Sequence, residues 1–211
     1  MFPIDTLLAY VAACALVVIS PGPDNILAIG RGLSQGRLAA ALSSLGAGLG
    51  IMCHTLAATF GLSLIIQSSP QAFWVVKAVG ALYLIWLGYR ALSAGNLISF
   101  TPSARMPLRR VLATGILSNV LNPKPGLFVL AFLPQFADAA RGSLTVQMLA
   151  YGAIFAVMTT LIFTLMGGFA SRLAGWLQTR PKVVKGVNIG AGLTFIAAGL
   201  SVLSLKQRSA L

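Results

Sequence analysis

Six long apolar segments follow one another along the chain, and short connections between them hold most of the charged residues. The segments lie at about 5–30, 39–66, 71–91, 109–135, 145–169 and 187–205. A helix needs about 20 apolar residues to cross a bilayer, so each segment is long enough for one span. The pattern predicts an all-α integral membrane protein with six transmembrane helices, forming a single transmembrane domain over residues 1–211.

Two of these segments contain paired prolines that a continuous helix does not tolerate. They are Ser20-Pro21-Gly22-Pro23 in the first and Asn122-Pro123-Lys124-Pro125 in the fourth. Since an interior proline costs about 3 kcal/mol, each pair predicts a span broken into two half-helices. Ser20 and Asn122 are the expected N-caps, and Pro21 and Pro123 the expected first helical residues. Two unrelated kinks are the alternative.

The two breaks recur at an offset of about 102 residues, which also places Gly50 on Gly152. A larger offset, near 111, brings Gly88 of the third span onto Gly199 of the sixth. Because each half has three spans, a duplicated half enters the membrane upside down. We expect two inverted three-helix repeats, about 5–91 and 109–205, with a linker at about 92–108. Paired broken helices at matching positions are typical of a transporter site.

Composition confirms the membrane class and changes the meaning of the charge. The chain is 57% apolar and only 9% charged, against about 25% charged in a typical soluble domain. Its 15 Lys and Arg against three acids give a net charge of +12, which in a soluble protein suggests a nucleic-acid partner. The connections after the first, third and fifth spans carry ten of these cations: Arg31, Arg37, Arg90, Arg105, Arg109, Arg110, Arg172, Arg180, Lys182 and Lys185.

This bias sets an orientation. Short cytoplasmic loops retain Lys and Arg, so the cation-rich connections and the linker are expected in the cytoplasm and both termini in the periplasm. Topology and contact with anionic membrane lipid explain the charge, and we expect no nucleic-acid partner.

Asp24 and Lys124 are charged residues beside the two breaks. A charge in the hydrocarbon costs at least about 2.5 kcal/mol and indicates a function. Our hypothesis is that they approach one another, directly or through a substrate, and that Asp24 takes up a proton when the site closes to water. The alternatives are that Asp24 caps its half-helix and that Lys124 extends toward the membrane surface.

Uncharged polar residues lie in the same zone. Asn25, Asn119 and Asn122 suit a zwitterion whose carboxylate meets the half-helix N-termini and whose ammonium meets Asp24; for Asn122, capping is the alternative. His54 in the second span is either a proton relay or a buried core residue.

Three glycines are closely spaced in the second span. The glycines at 46, 48 and 50 indicate close helix packing, either within the chain or at a homodimer seam.

With no Glu, three Asp and two Cys, the chain offers no catalytic motif and no metal cluster. We therefore expect no enzyme activity, no metal and no cofactor.

The motifs strongly resemble those of the LysE/RhtB family of bacterial amino-acid exporters over nearly the whole chain. The matching segments are Ser20-Pro21-Gly22-Pro23-Asp24, Gly30-Arg31, Gly36-Arg37, Gly80-Ala81-Leu82-Tyr83-Leu84, Leu87-Gly88, Gly115-Ile116-Leu117-Ser118-Asn119-Val120-Leu121-Asn122-Pro123-Lys124 and Leu133-Pro134-Gln135-Phe136.

The resemblance implies proton-driven export of amino acids or their analogues across a bacterial inner membrane. It assigns substrate or ion binding to the segments 20–24 and 122–125, with Asp24 as the matching acid; Pro125 departs from the usual pattern. Exporters of Lys, Arg or divalent metals should carry more than one intramembrane acid. The single Asp24 therefore favours a neutral substrate such as homoserine, threonine, a branched-chain amino acid or a toxic analogue. A small-solute channel and a non-transporting scaffold are the alternatives.

Overall fold

In the computed structural model, the apolar segments form α-helices. The structure describes residues 3–20, 22–61, 70–93, 104–170, 172, 176 and 179–204, so that Pro21, most of the linker and the C-terminal residues lie outside the described ranges. The helices are α1 (Ile4–Ile19), α2 (Pro23–Gln35), α3 (Arg37–Leu56), α4 (Pro70–Ser93), α5 (Leu108–Leu121), α6 (Pro123–Phe132), α7 (Leu144–Gly168) and α8 (Pro181–Ser204). A π-helical turn (Ala57–Gly61) extends α3, and short 3-10 turns (Leu133–Phe136 and Ala139–Arg141) follow α6.

These helices make six spans. α3 with its π turn, and α7, have 25 residues each and are apolar enough to cross a membrane. The pair α1–α2 and the pair α5–α6 meet the same criteria but bend by 60° and 54° at their junctions. α4 and α8 have 24 residues each, or about 36 Å of helix at 1.5 Å per residue. The predicted fold class, with breaks in the first and fourth spans, is confirmed.

Glycines let α3 pack closely against its neighbours. A Cβ atom on Gly46 would lie 2.6 Å from the carbonyl oxygen of Leu112 in α5, and one on Gly48 would collide with Thr160 in α7. The glycines at 46 and 48 therefore make close helix contacts within the chain. The homodimer seam stays a prediction.

The contact between α4 and α8 has a local two-fold symmetry. A Cβ on Gly88 would lie 2.5 Å from Cγ1 of Ile196, and a Cβ on Gly199 would lie 2.6 Å from Cγ1 of Ile85. Adding 111 to 85 and 88 gives 196 and 199, so the same contact occurs twice between two antiparallel helices. This reciprocity is what a pair of inverted repeats produces. The exact limits of the repeats stay a prediction.

The cation-rich connections meet at one end of the bundle. Arg105 Nε donates to the carbonyl oxygen of Ser34 at 3.0 Å, which joins the end of α2 to the segment before α5. The guanidinium of Arg37 lies over the ring of Phe169, 5.4 Å from its centroid, which joins α3 to the end of α7. The side of the membrane that this basic end faces stays a prediction.

Filling the α4–α8 contact should destabilise the fold. We expect Gly199→Ala to lower the free energy of unfolding by about 1–3 kcal/mol, because the added methyl group overpacks against Ile85. Gly186→Ala on the same helix is the matched control, since a Cβ there has no atom within 4 Å. Thermal unfolding in detergent measures both, and equal melting temperatures would contradict the reciprocal contact.

Candidate functional site

The two broken spans come together at their breaks, but the first break differs from the prediction. α2 begins at Pro23 with Gly22 as its N-cap, and Ser20 is the C-cap of α1. The prediction of Ser20 as an N-cap is therefore wrong, and Pro21, the predicted first helical residue, lies outside the described residues. The second break is as predicted, because Asn122 caps α6 and Pro123 is its first residue.

Asn25 explains the difference at the first break. Its Oδ1 accepts the backbone N–H of Gly22 at 2.8 Å, and its Nδ2 donates to the carbonyl oxygen of Ser20 at 3.0 Å. One buried amide thus satisfies an N–H group at the start of α2 and a C=O group at the end of α1, both of which a helix terminus leaves unpaired. Ser20 is not needed as a cap.

Lys124 joins the second break to the first. Its Nζ donates to the carbonyl oxygen of Ser20 at 2.6 Å and lies 3.4 Å from Ser20 Oγ, while its backbone N–H bonds Asn122 Oδ1 at 3.0 Å. The ammonium is therefore buried at the C-terminus of α1, where the helix dipole favours a positive charge. It does not extend toward the end of the bundle.

Asp24 forms the complementary link from the first break to the second. Its carboxylate accepts hydrogen bonds from Ser118 Oγ at 2.7 Å, Asn119 Nδ2 at 2.7 Å and Asn122 Nδ2 at 2.9 Å. All three donors belong to the end of α5 or the cap of α6. Asp24 is 7% exposed and does not cap its own helix, so its three partners stabilise a buried carboxylate across the repeat boundary.

Asp24 and Lys124 line one small cavity without a direct ion pair between them in the described part of the chain. The cavity has about 20 Å³ of space for water-sized groups, which is room for about one water molecule. Of the predicted site residues, Gly22, Asp24, Asn25, Asn119, Asn122, Lys124 and Pro125 line it. Ser20 bonds Lys124, which lines the cavity. Pro23 and Pro123 are the first residues of α2 and α6, beside the cavity.

His54 lies behind this site rather than in it. Its Nε2 is 3.0 Å from the backbone oxygen of Asn119, so the Nε2–H tautomer donates there. Asn119 in turn donates its side-chain amide to Asp24. Asn119 therefore connects His54 to the Asp24 carboxylate by two hydrogen bonds. The role of His54 as a proton relay stays a prediction.

Sequence comparison relates the chain to known membrane proteins. Residues 15–206 match the family model described as LysE type translocator. The chain belongs to the LysE family. It is 31% identical over 200 residues to a homoserine/homoserine lactone efflux protein of Salmonella typhi, covering 94% of this chain and 96% of that protein. It is 29% identical over 205 residues to a leucine efflux protein of Enterobacter, covering 93% and 94%.

This membership settles the class of the protein. It is a multi-pass membrane translocator and not an enzyme. No solved structure matches the chain.

The structure of this LysE translocator adds site residues that were not predicted from the sequence. Ser118 donates to Asp24, and Phe155, Thr159 and Phe163 of α7 line the cavity. A signal for Ser118 was present, because it lies four residues before Asn122 and therefore on the same helix face. The α7 residues carried no such signal, since threonine between aromatic residues is typical of an ordinary buried helix.

The Asp24 network should contribute measurably to stability. We expect Ser118→Ala to lower the free energy of unfolding by about 1.5–3 kcal/mol, because a hydrogen bond to a charged group is lost. Ser44→Ala is the control: its hydroxyl is buried and bonds only the carbonyl of Ala40 in its own helix, so about 1 kcal/mol or less is expected. Unfolding titrations with SDS in mixed micelles measure both. Equal losses would contradict the network.

Proposed function

We propose that the chain is a secondary active exporter of neutral amino acids, driven by proton antiport across the bacterial inner membrane. The observation that carries the proposal is Asp24, whose buried carboxylate is held where the two broken spans meet and shares a cavity with Lys124. The efflux names of the relatives support amino acids as substrates, with homoserine, threonine, branched-chain amino acids and toxic analogues as the candidates.

The charges of the cavity suit a zwitterion. Lys124 and the N-terminus of α6 favour the substrate carboxylate, because the ammonium and the helix dipole both carry positive charge there. Asp24 favours the substrate ammonium. Since Asp24 is the only acid that lines the described cavity, no second carboxylate is present there for a cationic side chain, which favours neutral amino acids.

Proton coupling follows from the cost of moving an unpaired carboxylate through an apolar region. Asp24 loses its unpaired charge either by binding a proton or by binding the substrate ammonium. If the site switches its access between the two sides of the membrane only when Asp24 has bound a proton or a substrate, each amino acid that leaves is exchanged for a proton that enters. His54 is the candidate relay, because it bonds the backbone of Asn119.

Alternating access requires that both flanks of the site open in turn. On one flank, Tyr10 OH donates to the backbone oxygen of Tyr151 at 2.8 Å, and the ring of Phe136 lies 5.0 Å from that of Tyr10. On the other, buried Arg31 bonds Gln35 and the carbonyl oxygen of Ala104. We assign the Tyr10 flank to the periplasm and the Arg31 flank to the cytoplasm, in line with the cation bias.

The remaining partners are those of a membrane exporter: the amino acid, protons and lipid, with a homodimer as a further prediction. Both termini are proposed to be periplasmic. The contacts that close both flanks do not favour an open small-solute channel, and the charged residues that line the cavity do not favour a scaffold.

Asp24→Asn tests the coupling. In vesicles preloaded with labelled homoserine or leucine, we expect the variant to lose proton-driven export down to the level of protein-free vesicles, because an amide cannot exchange a proton. Exchange of labelled for unlabelled amino acid should persist, since this exchange moves no proton. Asp5→Asn is the control, because Asp5 is exposed at the far end of α1.

Two results would contradict the proposal. Proton-driven export that is unchanged in Asp24→Asn would remove Asp24 from the coupling step. Release of every solute by the unaltered protein, with or without a proton gradient, would indicate a channel instead.

A further inference from the structure

One stretch of the cavity wall combines aromatic side chains with a single hydroxyl. Phe155, Thr159 and Phe163 lie four residues apart on α7 and therefore share one face of that helix. All three line the cavity that Asp24 and Lys124 also line. Asp24 and Lys124 suit the ammonium and carboxylate groups that all amino acids share. The wall formed by α7 is therefore available to the substrate side chain.

The hydroxyl of Thr159 is unusual for a helical threonine. It is buried, with the residue 2% exposed, and it has no hydrogen-bond partner in the described part of the chain. A threonine in a helix commonly bonds the carbonyl four residues earlier. Thr160 does so with Ala156 at 2.9 Å, and Thr55 with Ile51 at 2.9 Å. Thr159 does not, and a buried polar group without a partner requires an explanation.

A second unpartnered atom belongs to another residue that lines the same cavity. The Nδ2 group of Asn119 donates to Asp24, but its Oδ1 has no partner among the described residues. Asn119 is 1% exposed. Oδ1 is an acceptor, and a threonine hydroxyl both donates and accepts. Together they match a ligand hydroxyl, which can donate to Asn119 and accept from Thr159.

We propose that Thr159 and Asn119 form a subsite for a side-chain hydroxyl, so that the protein prefers short hydroxylated neutral amino acids to aliphatic ones of the same size. This inference rests on the proposed export function and narrows its substrate class. Phe155 and Phe163 cover the substrate methylene groups. A substrate without the hydroxyl leaves Asn119 and Thr159 unpaired, and sites built to bond a hydroxyl discriminate on that basis.

The test compares homoserine with norvaline, in which a methyl group replaces the hydroxyl. The ratio of kcat/KM for the two is measured in proton-driven vesicles. We expect the unaltered protein to favour homoserine by about tenfold or more, and Thr159→Val to reduce this ratio by about tenfold. Thr159→Ser retains the hydroxyl and should retain the preference, which separates loss of bonding from misfolding.

Thr160→Val is the matched control, because the Thr160 hydroxyl is already bonded within its helix; the ratio should not change. An unchanged ratio in Thr159→Val, or an equal loss for both amino acids, would overturn the subsite while leaving export intact. Equal loss would mean that Thr159 contacts the ammonium or only packs. Export of neither amino acid by the unaltered protein would overturn the proposed function itself, and the subsite with it.

Discussion

The buried carboxylate of Asp24 is the interaction on which the rest of the site depends. Its three donors, Ser118, Asn119 and Asn122, all belong to the other broken span. A carboxylate in an apolar interior is stable only when it is paired or fully hydrogen-bonded. The same bonds that make Asp24 tolerable therefore hold the two breaks together, and any change in the charge of Asp24 alters the contact between the two halves of the chain.

Lys124 completes a reciprocal arrangement. It extends from the second break to the end of α1, while Asp24 extends from the first break to the end of α5. Each charge thus satisfies backbone or amide groups of the opposite span, and neither needs the other as a direct partner. Both charged residues line the small cavity between them. A ligand with one positive and one negative charge can therefore contact Asp24 and Lys124 at the same time.

Much of this could be predicted from the sequence, because charges and amides inside apolar segments are conspicuous. Asp24, Asn119 and Lys124 were found in that way, and the prolines located both breaks. The cap of the first break was predicted wrongly. Gly22 takes that position, with its N–H bonded by Asn25, and only the folded path of the chain shows that Ser20 ends α1 instead of starting α2. Thr159 was missed because a helical threonine normally bonds its own backbone, and sequence cannot reveal an exception.

The central claim is that substrate and proton compete for Asp24. Its most direct test is the binding of labelled homoserine or leucine to the detergent-solubilised protein at a series of pH values. The account predicts that lowering the pH weakens binding to the unaltered protein and that Asp24→Asn binds the amino acid without this pH dependence. The same pH dependence in both proteins would contradict it.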